Sequence, residues 1–363
     1  MYSLWQKSAR QDKHVHQKGR RARREATPEE IKQFSARHAS NFGDFPVRPC
    51  KMDFEVGPGY RSTMPKADAI ATLAQLVAPL SAGDFRALLA ARRPLHVPDG
   101  DNGRYAALLD WDGLVGMMHA DAVPHRDVRL YRDRVRVPPL FLRDAGAHRA
   151  ELIDRLLAAD ASIMLNRAEE HVPALGQLCA EVAEQTGDHV SAAVVATAGQ
   201  GGALERHYDP YDIVVLQVDG SKRWVLYENP EINPVPGMPK VRGRDDIEPA
   251  MEFVLHPGDW LFVPAGHHHR CDTIGARSLH IGILFHPLTT VRALELILRD
   301  LLEAPDDRAP LRFDPADAAG TEAALKRRLI DHIAALSIDD LSHRHRATAV
   351  ERESRVRDDP ADG

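Results

Sequence analysis

Two short stretches hold the residue types that could do chemistry. The first is Arg206-His207-Tyr208-Asp209-Pro210-Tyr211, which runs straight into the β-branched segment at 212–218. In extended chain, residues i and i+2 point to the same face, so His207 and Asp209 project together. An imidazole nitrogen beside a carboxylate oxygen suits a borderline divalent metal. The second stretch is Gly258-Asp259-Trp260-Leu261-Phe262-Val263-Pro264-Ala265-Gly266-His267-His268-His269, a strand-like run that ends in a Pro-x-Gly turn and three histidines. All three are ligands by type, and the Pro-x-Gly-x-x-His spacing favours His269. Two histidines and one carboxylate would fill one face of a metal ion and leave three positions open, the donor set of non-haem Fe(II) oxygen chemistry. With 19 histidines in the chain, one His-x-Asp alone could be a solvated strand end. The second histidine motif, in strand context, makes it a candidate site.

A β scaffold has to position these residues. Stretches 190–197, 212–218, 223–227, 252–255, 260–263 and 278–285 are rich in β-branched residues with a period near two, and read as strands. Asp219-Gly220 reads as a tight turn between two of them, with Lys222 just beyond it on a strand that pairs back. Stretches 128–131 and 139–142 read as short strands, and 161–165 is an apolar run. Helical spacing is expected over 69–77, 81–92, 149–158 and 172–186, and again over 291–303 and 321–336. The expected fold is therefore mainly β, a sandwich or barrel with N-terminal helices and a C-terminal helical region. On the last strand, Ser278, His280 and Gly282 alternate with Leu279, Ile281 and Ile283, which puts a polar row toward the interior.

Composition sets outer limits. A net charge of −6 and 44% hydrophobic residues describe a chain with a sizeable core and no general pull toward nucleic acid or membrane. No apolar run approaches the ~20 residues of a membrane span. Three widely spaced cysteines, Cys50, Cys179 and Cys271, fit a reducing compartment, and the start lacks an apolar signal core, so a cytoplasmic protein is expected. Basic charge gathers at Lys13, Lys18, Arg20, Arg21, Arg23 and Arg24. The arm over 1–65 is expected to be a partly disordered tail with one short helix opened by Thr27-Pro28-Glu29-Glu30. Docking of that arm on RNA, a ribosome or an acidic partner is the alternative. The stretch 341–363 is charged and expected to be loose.

The run from His207 through Trp224, followed by Gly-Asp-x-Leu-x-x-Pro-x-Gly-x-x-His at 258–269, resembles the cupin-type JmjC oxygenases, in particular the ribosomal-oxygenase branch. The resemblance covers roughly residues 66–300. It implies a double-stranded β-helix (cupin, jelly-roll) core, Fe(II) held by His207, Asp209 and His269, and 2-oxoglutarate consumed with O2. It also implies that a basic residue thirteen positions after the aspartate holds the distal carboxylate of 2-oxoglutarate, and position 222 is lysine. A buried lysine needs an anionic partner, and a bound dicarboxylate supplies one. Ser278 and His280 are candidates to line the same pocket, with a satisfied core histidine as the plain reading of His280. Cys271 shares parity with His269. Where the family usually has Asn and Tyr on the strand before the metal motif, this chain has Ala193 and Val195, which cannot donate a hydrogen bond.

The implied activity is hydroxylation of a side chain on a protein or peptide, a ribosomal protein or a peptide precursor, with release of succinate and CO2. Members of that branch carry a winged helix after their dimerisation helices, and the chain beyond Thr290 is too short for both. Expected divisions are thus a catalytic domain over 66–287 and a helical dimerisation region over 288–340, giving a homodimer. Two other classes remain in view. A metal cupin acting on a small molecule without 2-oxoglutarate, as dioxygenase or isomerase, would have no use for Lys222. A non-catalytic cupin binding module would show no metal dependence.

Overall fold

The computed structural model describes residues 69–99, 101–228, 230–236, 238, 248–310 and 315–356, with side chains described to 347. The basic arm, its expected helix at Thr27 and Cys50 lie outside the described residues. Helices α1 (Leu73–Leu76) and α2 (Ala82–Ala91) both open on capping boxes, Thr72 with Gln75 and Ser81 with Asp84. The helix expected over 69–77 is cut to one turn, since the Thr72 box fixes its start and Pro79 follows its end. Next come β1 (Leu95–Val97), α3 (Trp111–His119), β2 (Val128–Arg132) and β3 (Val135–Arg136).

The strand expected at 139–142 is instead a helix, α4 (Pro139–Arg143). Pro139 at the first helical position has a preset φ and needs no hydrogen-bond partner there, whereas in a strand it would remove a ladder donor. The chain continues through α5 (Arg149–Leu157), β4 (Ser162–Leu165), α6 (Ala168–His171), α7 (Pro173–Thr186) and β5 (His189–Ala198). The motif-bearing half holds β6 (Asp212–Tyr227), β7 (Pro249–Leu255), β8 (Trp260–Val263) and β9 (His269–His286). Helices α8 (Thr290–Glu303), α9 (Ala318–Ala334) and α10 (Ile338–Val356) end the described chain. The loose tail expected from 341 is thus helical as far as Val356. Leu341 and His345 are buried, His345 Nε2 lies 2.7 Å from the His286 carbonyl, and Arg344 pairs with Asp300.

All strand pairing is antiparallel, in the order β1-β8-β6-β9-β5-β4-β2-β3, with β7 also on β6. β6 and β9 are long enough to serve two layers. The first half of β6 pairs with β8 and the second half with β7, while β9 follows it throughout. Asp219-Gly220 is therefore a corner within one strand and not a hairpin turn. Pairing to β9 slips between Gln217 and Asp219 and again between Gly220 and Ser221. Gly220 has φ +61°, and a Cβ there would strike the Arg277 carbonyl, so the corner needs glycine. Lys222 lies past that corner, opposite Thr273 of β9.

Alternation along these strands divides the core. Val194, Ala196, Val214, Leu216, Ile281 and Ile283 face the helices, joining Phe85, Leu114, Leu178 and Val182. Ile213, Val215, Leu261, Val263 and Leu284 face inward, against Trp224, Leu226 and Leu255 from beyond the corner. The result is a jelly-roll sandwich with helical additions. Each large apolar side chain contributes about 1.5–3 kcal/mol on burial, which offsets the cost of the few polar groups kept dry inside.

Candidate metal centre

His207 precedes β6 and pairs with the first residue of β9: its N–H donates to the His269 carbonyl at 3.1 Å, and the His269 N–H returns the bond at 2.7 Å. Directly opposed residues share a face, so the two rings lie with centroids 4.4 Å apart. Asp209 follows two residues on, and its carbonyl accepts the Gly266 N–H at 2.9 Å, which ties it to the Pro-x-Gly turn. Gly266 has φ +84°, and a Cβ would meet the Glu231 backbone. One nitrogen from each ring and one carboxylate oxygen lie within 4.8 Å of one another. His207 Nε2 is 3.7 Å and His269 Nε2 3.5 Å from Asp209 Oδ2.

The other ring nitrogens settle the tautomers. His207 Nδ1 lies 2.7 Å from the Glu205 carbonyl and His269 Nδ1 3.0 Å from the His267 carbonyl. A carbonyl only accepts, so each Nδ1 carries the proton and each Nε2 presents a lone pair to the shared space. That is how metal-ligating histidines are held. Two imidazoles and a carboxylate, oriented from behind, fit a divalent ion. Neither rival histidine reaches the group: His267 supplies its carbonyl to His269, and His268 packs edge-on to Tyr208 at 5.2 Å.

Lys222 is fully buried, and its Nζ lies 3.2 Å from Nδ1 of His280. Among the described residues no carboxylate is paired with it. Burial pulls the Lys222 pKa below its ordinary value. Burial, then the neighbouring Lys222 charge, holds His280 well below the usual imidazole range, so a neutral His280 accepts from the ammonium. Ser278 is fully buried with its hydroxyl 2.8 Å from that of Thr273, which sits across from Lys222. Cys271 lies against the inward-facing cluster with its thiol pKa raised by burial. Ala193 and Val195 are paired with Gly282 and His280 and bring no donor to that row, whereas Thr197, opposite Ser278, brings a hydroxyl that lies 3.0 Å from that of Ser162.

Sequence reasoning passed over Thr273, Trp224 and Arg134. The Trp224 ring lies 5.6 Å from His269 and 5.4 Å from His280, which links the metal ligands to the Lys222 pocket. Its place two residues after Lys222 was the available signal. Arg134, in the turn between β2 and β3, reaches the Leu204 carbonyl and the Asp272 carboxylate beside the site. That contact depends on tertiary approach and has no local sequence mark.

Residues 166–292 match the family model of the JmjC domain. Over 216 residues the chain is 29% identical to the bifunctional lysine-specific demethylase and histidyl-hydroxylase NO66 of Drosophila persimilis, covering 58% of this chain and 31% of that protein. Over 284 residues it is 28% identical to ribosomal oxygenase 1 of Rattus norvegicus, covering 75% of this chain and 45% of that one. The chain thus spans less than half the length of either relative. Among solved structures, YcfD of Escherichia coli superposes with a TM-score of 0.51 at 18% identity, over 71% of this chain and 69% of that one, and shares the fold. Residues 166–292 thus match the JmjC domain, and the chain is similar in sequence to the ribosomal oxygenases.

Proposed function

We propose that the chain is an Fe(II)- and 2-oxoglutarate-dependent oxygenase that hydroxylates a side chain of a protein or peptide, releasing succinate and CO2. The observation that carries this reading is Lys222, a fully buried cation whose partner is a neutral histidine. A buried charge is costly without an anionic partner, and a dicarboxylate reaching from the metal would supply one. A cupin without such a co-substrate has no reason to bury this lysine.

His207, Asp209 and His269 would hold the metal by one face. Bound Fe(II) would supply the activation of O2, coupled to decarboxylation of the oxo acid. The protein's part is positioning and dryness. Lys222 neutralises the far carboxylate, Ser278 and His280 line the same end, and Trp224 closes the wall between that end and the metal. The relatives are named for histidine hydroxylation and for ribosomal oxygenation, so a ribosomal protein is the first substrate class to test, and a peptide precursor the second. The decisive assay is purified protein with Fe(II), ascorbate and 2-oxoglutarate, followed for succinate. Succinate formation, with a 2-oxoglutarate-dependent thermal shift, is the expected result; neither one, even with candidate peptides added, sinks the oxygenase reading.

We also read the chain as a homodimer through α8 and α9. Leu294, Leu298 and Leu302 repeat at helical spacing on α8 with more than half of each exposed, while Leu296 and Ile297 turn to the core. Leu325, Leu329, Ile330 and Ile333 are likewise exposed on α9. Such stripes usually mark an interface. Leu294→Glu with Leu298→Glu should halve the mass seen by sedimentation. A wild-type monomer at micromolar concentration ends this reading. Among the described residues no helix is long and apolar enough to cross a membrane. A cytoplasmic site of action, and contact of the basic arm with RNA or a ribosome, are part of the same proposal.

A further inference from the structure

Trp224 is 3% exposed, and its indole Nε1 is buried without a hydrogen-bond partner among the described residues. Buried donors are ordinarily paired, and an orphan beside an ionic site marks room for an acceptor from outside the chain. Three placements say which acceptor. Trp224 and Lys222 are two apart on β6 and so share the inward face. The indole lies at 32° to the His269 ring, 5.6 Å away, and meets His280 edge-on at 5.4 Å. It therefore stands between the metal ligand and the buried ammonium, where the backbone of an oxo acid bridging the two would lie. Beside His280 on β5, Ala193 and Val195 offer no donor, and the Thr197 hydroxyl further along, opposite Ser278, is already within 3.0 Å of that of Ser162.

We infer that Trp224 donates its indole N–H to an oxygen of the bound oxo acid, as a second donor beside Lys222. This rests on the oxygenase reading. It makes Trp224 a co-substrate-binding residue, whereas a purely structural tryptophan would serve through its ring alone. Phenylalanine separates the two, because it keeps an aromatic ring against His269 and His280 and removes only the donor.

The test uses full-length protein loaded with Zn(II), which is diamagnetic and supports no turnover, with 2-oxoglutarate as the probe. In protein carrying 15N-labelled tryptophan, the Trp224 indole signal is the one most strongly broadened by Mn(II) in place of Zn(II), since its ring lies 5.6 Å from His269. On saturation with 2-oxoglutarate it should move downfield as the N–H gains a charged acceptor. In calorimetry Trp224→Phe should weaken 2-oxoglutarate about tenfold, the usual scale for a hydrogen bond to a charged group, with Zn(II) affinity unchanged. An indole signal that stays in place at saturating 2-oxoglutarate overturns the inference, even if the variant fails to fold. So does a Trp224→Phe protein that binds the acid as tightly as wild type. A wild-type protein that binds no 2-oxoglutarate fails at the earlier step and removes the oxygenase reading itself.

Discussion

The candidate metal ligands and the buried cluster around Lys222 lie on or beside the same pair of long strands and are built by opposite means. His207, Asp209 and His269 sit at or near strand ends; the first two side chains stay partly open to solvent at 17% and 13%, and the two imidazoles are each held by a backbone carbonyl two residues away. Lys222, Thr273, Ser278 and His280 are dry, and meet only because β6 and β9 bend at Gly220 and fold one layer over the other. The first site is local geometry on a scaffold. The second is a product of the scaffold itself. Changes to one should therefore leave the other standing, and how cleanly they separate measures how independent the two are.

The largest effect belongs to the ligands. Replacing Asp209 with alanine should weaken Mn(II) by more than about a hundredfold, beyond the 10- to 100-fold of a lost supporting hydrogen bond. Far-ultraviolet circular dichroism should be unchanged, since alanine keeps the backbone bond from Gly266 to residue 209. Retained metal binding would show that the cluster is only a surface arrangement. Next comes Lys222→Met, which keeps the volume and removes the charge. We expect 2-oxoglutarate binding to fall by about a hundredfold, as for a buried charge pair losing one partner, with Mn(II) affinity within a factor of about two. The same substitution should stabilise the metal-free protein by about 1–4 kcal/mol, because it deletes a buried cation with no paired carboxylate among the described residues.

That gain has a defined pH course. The folded pKa of Lys222 lies below its ordinary value of 10.5, so the unfolded chain binds the proton more tightly. The penalty is full below the folded pKa and fades as pH rises from there toward 10.5. The stability advantage of Lys222→Met over wild type, measured by urea unfolding, should shrink over that interval. An advantage independent of pH would mean that packing and not charge is responsible.

This contrast also explains what could be read in advance. The His-x-Asp pair and His269 were legible because strand alternation and a Pro-x-Gly turn are local rules. The interior row Ser278, His280 and Gly282 was legible for the same reason. Lys222 could be picked out only by resemblance, since burial past a corner leaves no trace in composition. Asp219-Gly220 misled because a glycine in the left-handed region serves a corner as well as a hairpin, and only the partner strand distinguishes them. The run at 139–142 was misread although Pro139 at a helix start is a local mark, and α10 because a charged run takes its state from what it docks against. Arg134 was invisible, being joined to Asp272 across a separation no local pattern spans.

Gly220→Ala attacks the corner directly. The added Cβ meets the Arg277 carbonyl, and alanine is strained at this positive φ, so we expect a loss of about 1–3 kcal/mol in stability. At a temperature where the variant is still folded, 2-oxoglutarate should weaken several-fold while Mn(II) holds, because Lys222 and His280 lose their mutual placement. Equal losses at both sites would merge the two regions into one cooperative unit.

The smallest expected effect is the finest probe of the dry site. Ser278 and Thr273 share one hydroxyl contact at 2.8 Å, yet the two groups bring two protons. One proton closes the pair and the other remains to be donated. With Lys222 opposite Thr273, the carboxylate of a bound acid would be in place to accept it. Ser278→Ala removes one proton and leaves Thr273 to choose, so 2-oxoglutarate should weaken about fivefold, the worth of roughly 1 kcal/mol. Calorimetry on the Mn(II)-loaded protein reads that change directly. If affinity holds while thermal stability falls, the hydroxyl pair serves only to close the corner, and charge from Lys222 alone selects the acid.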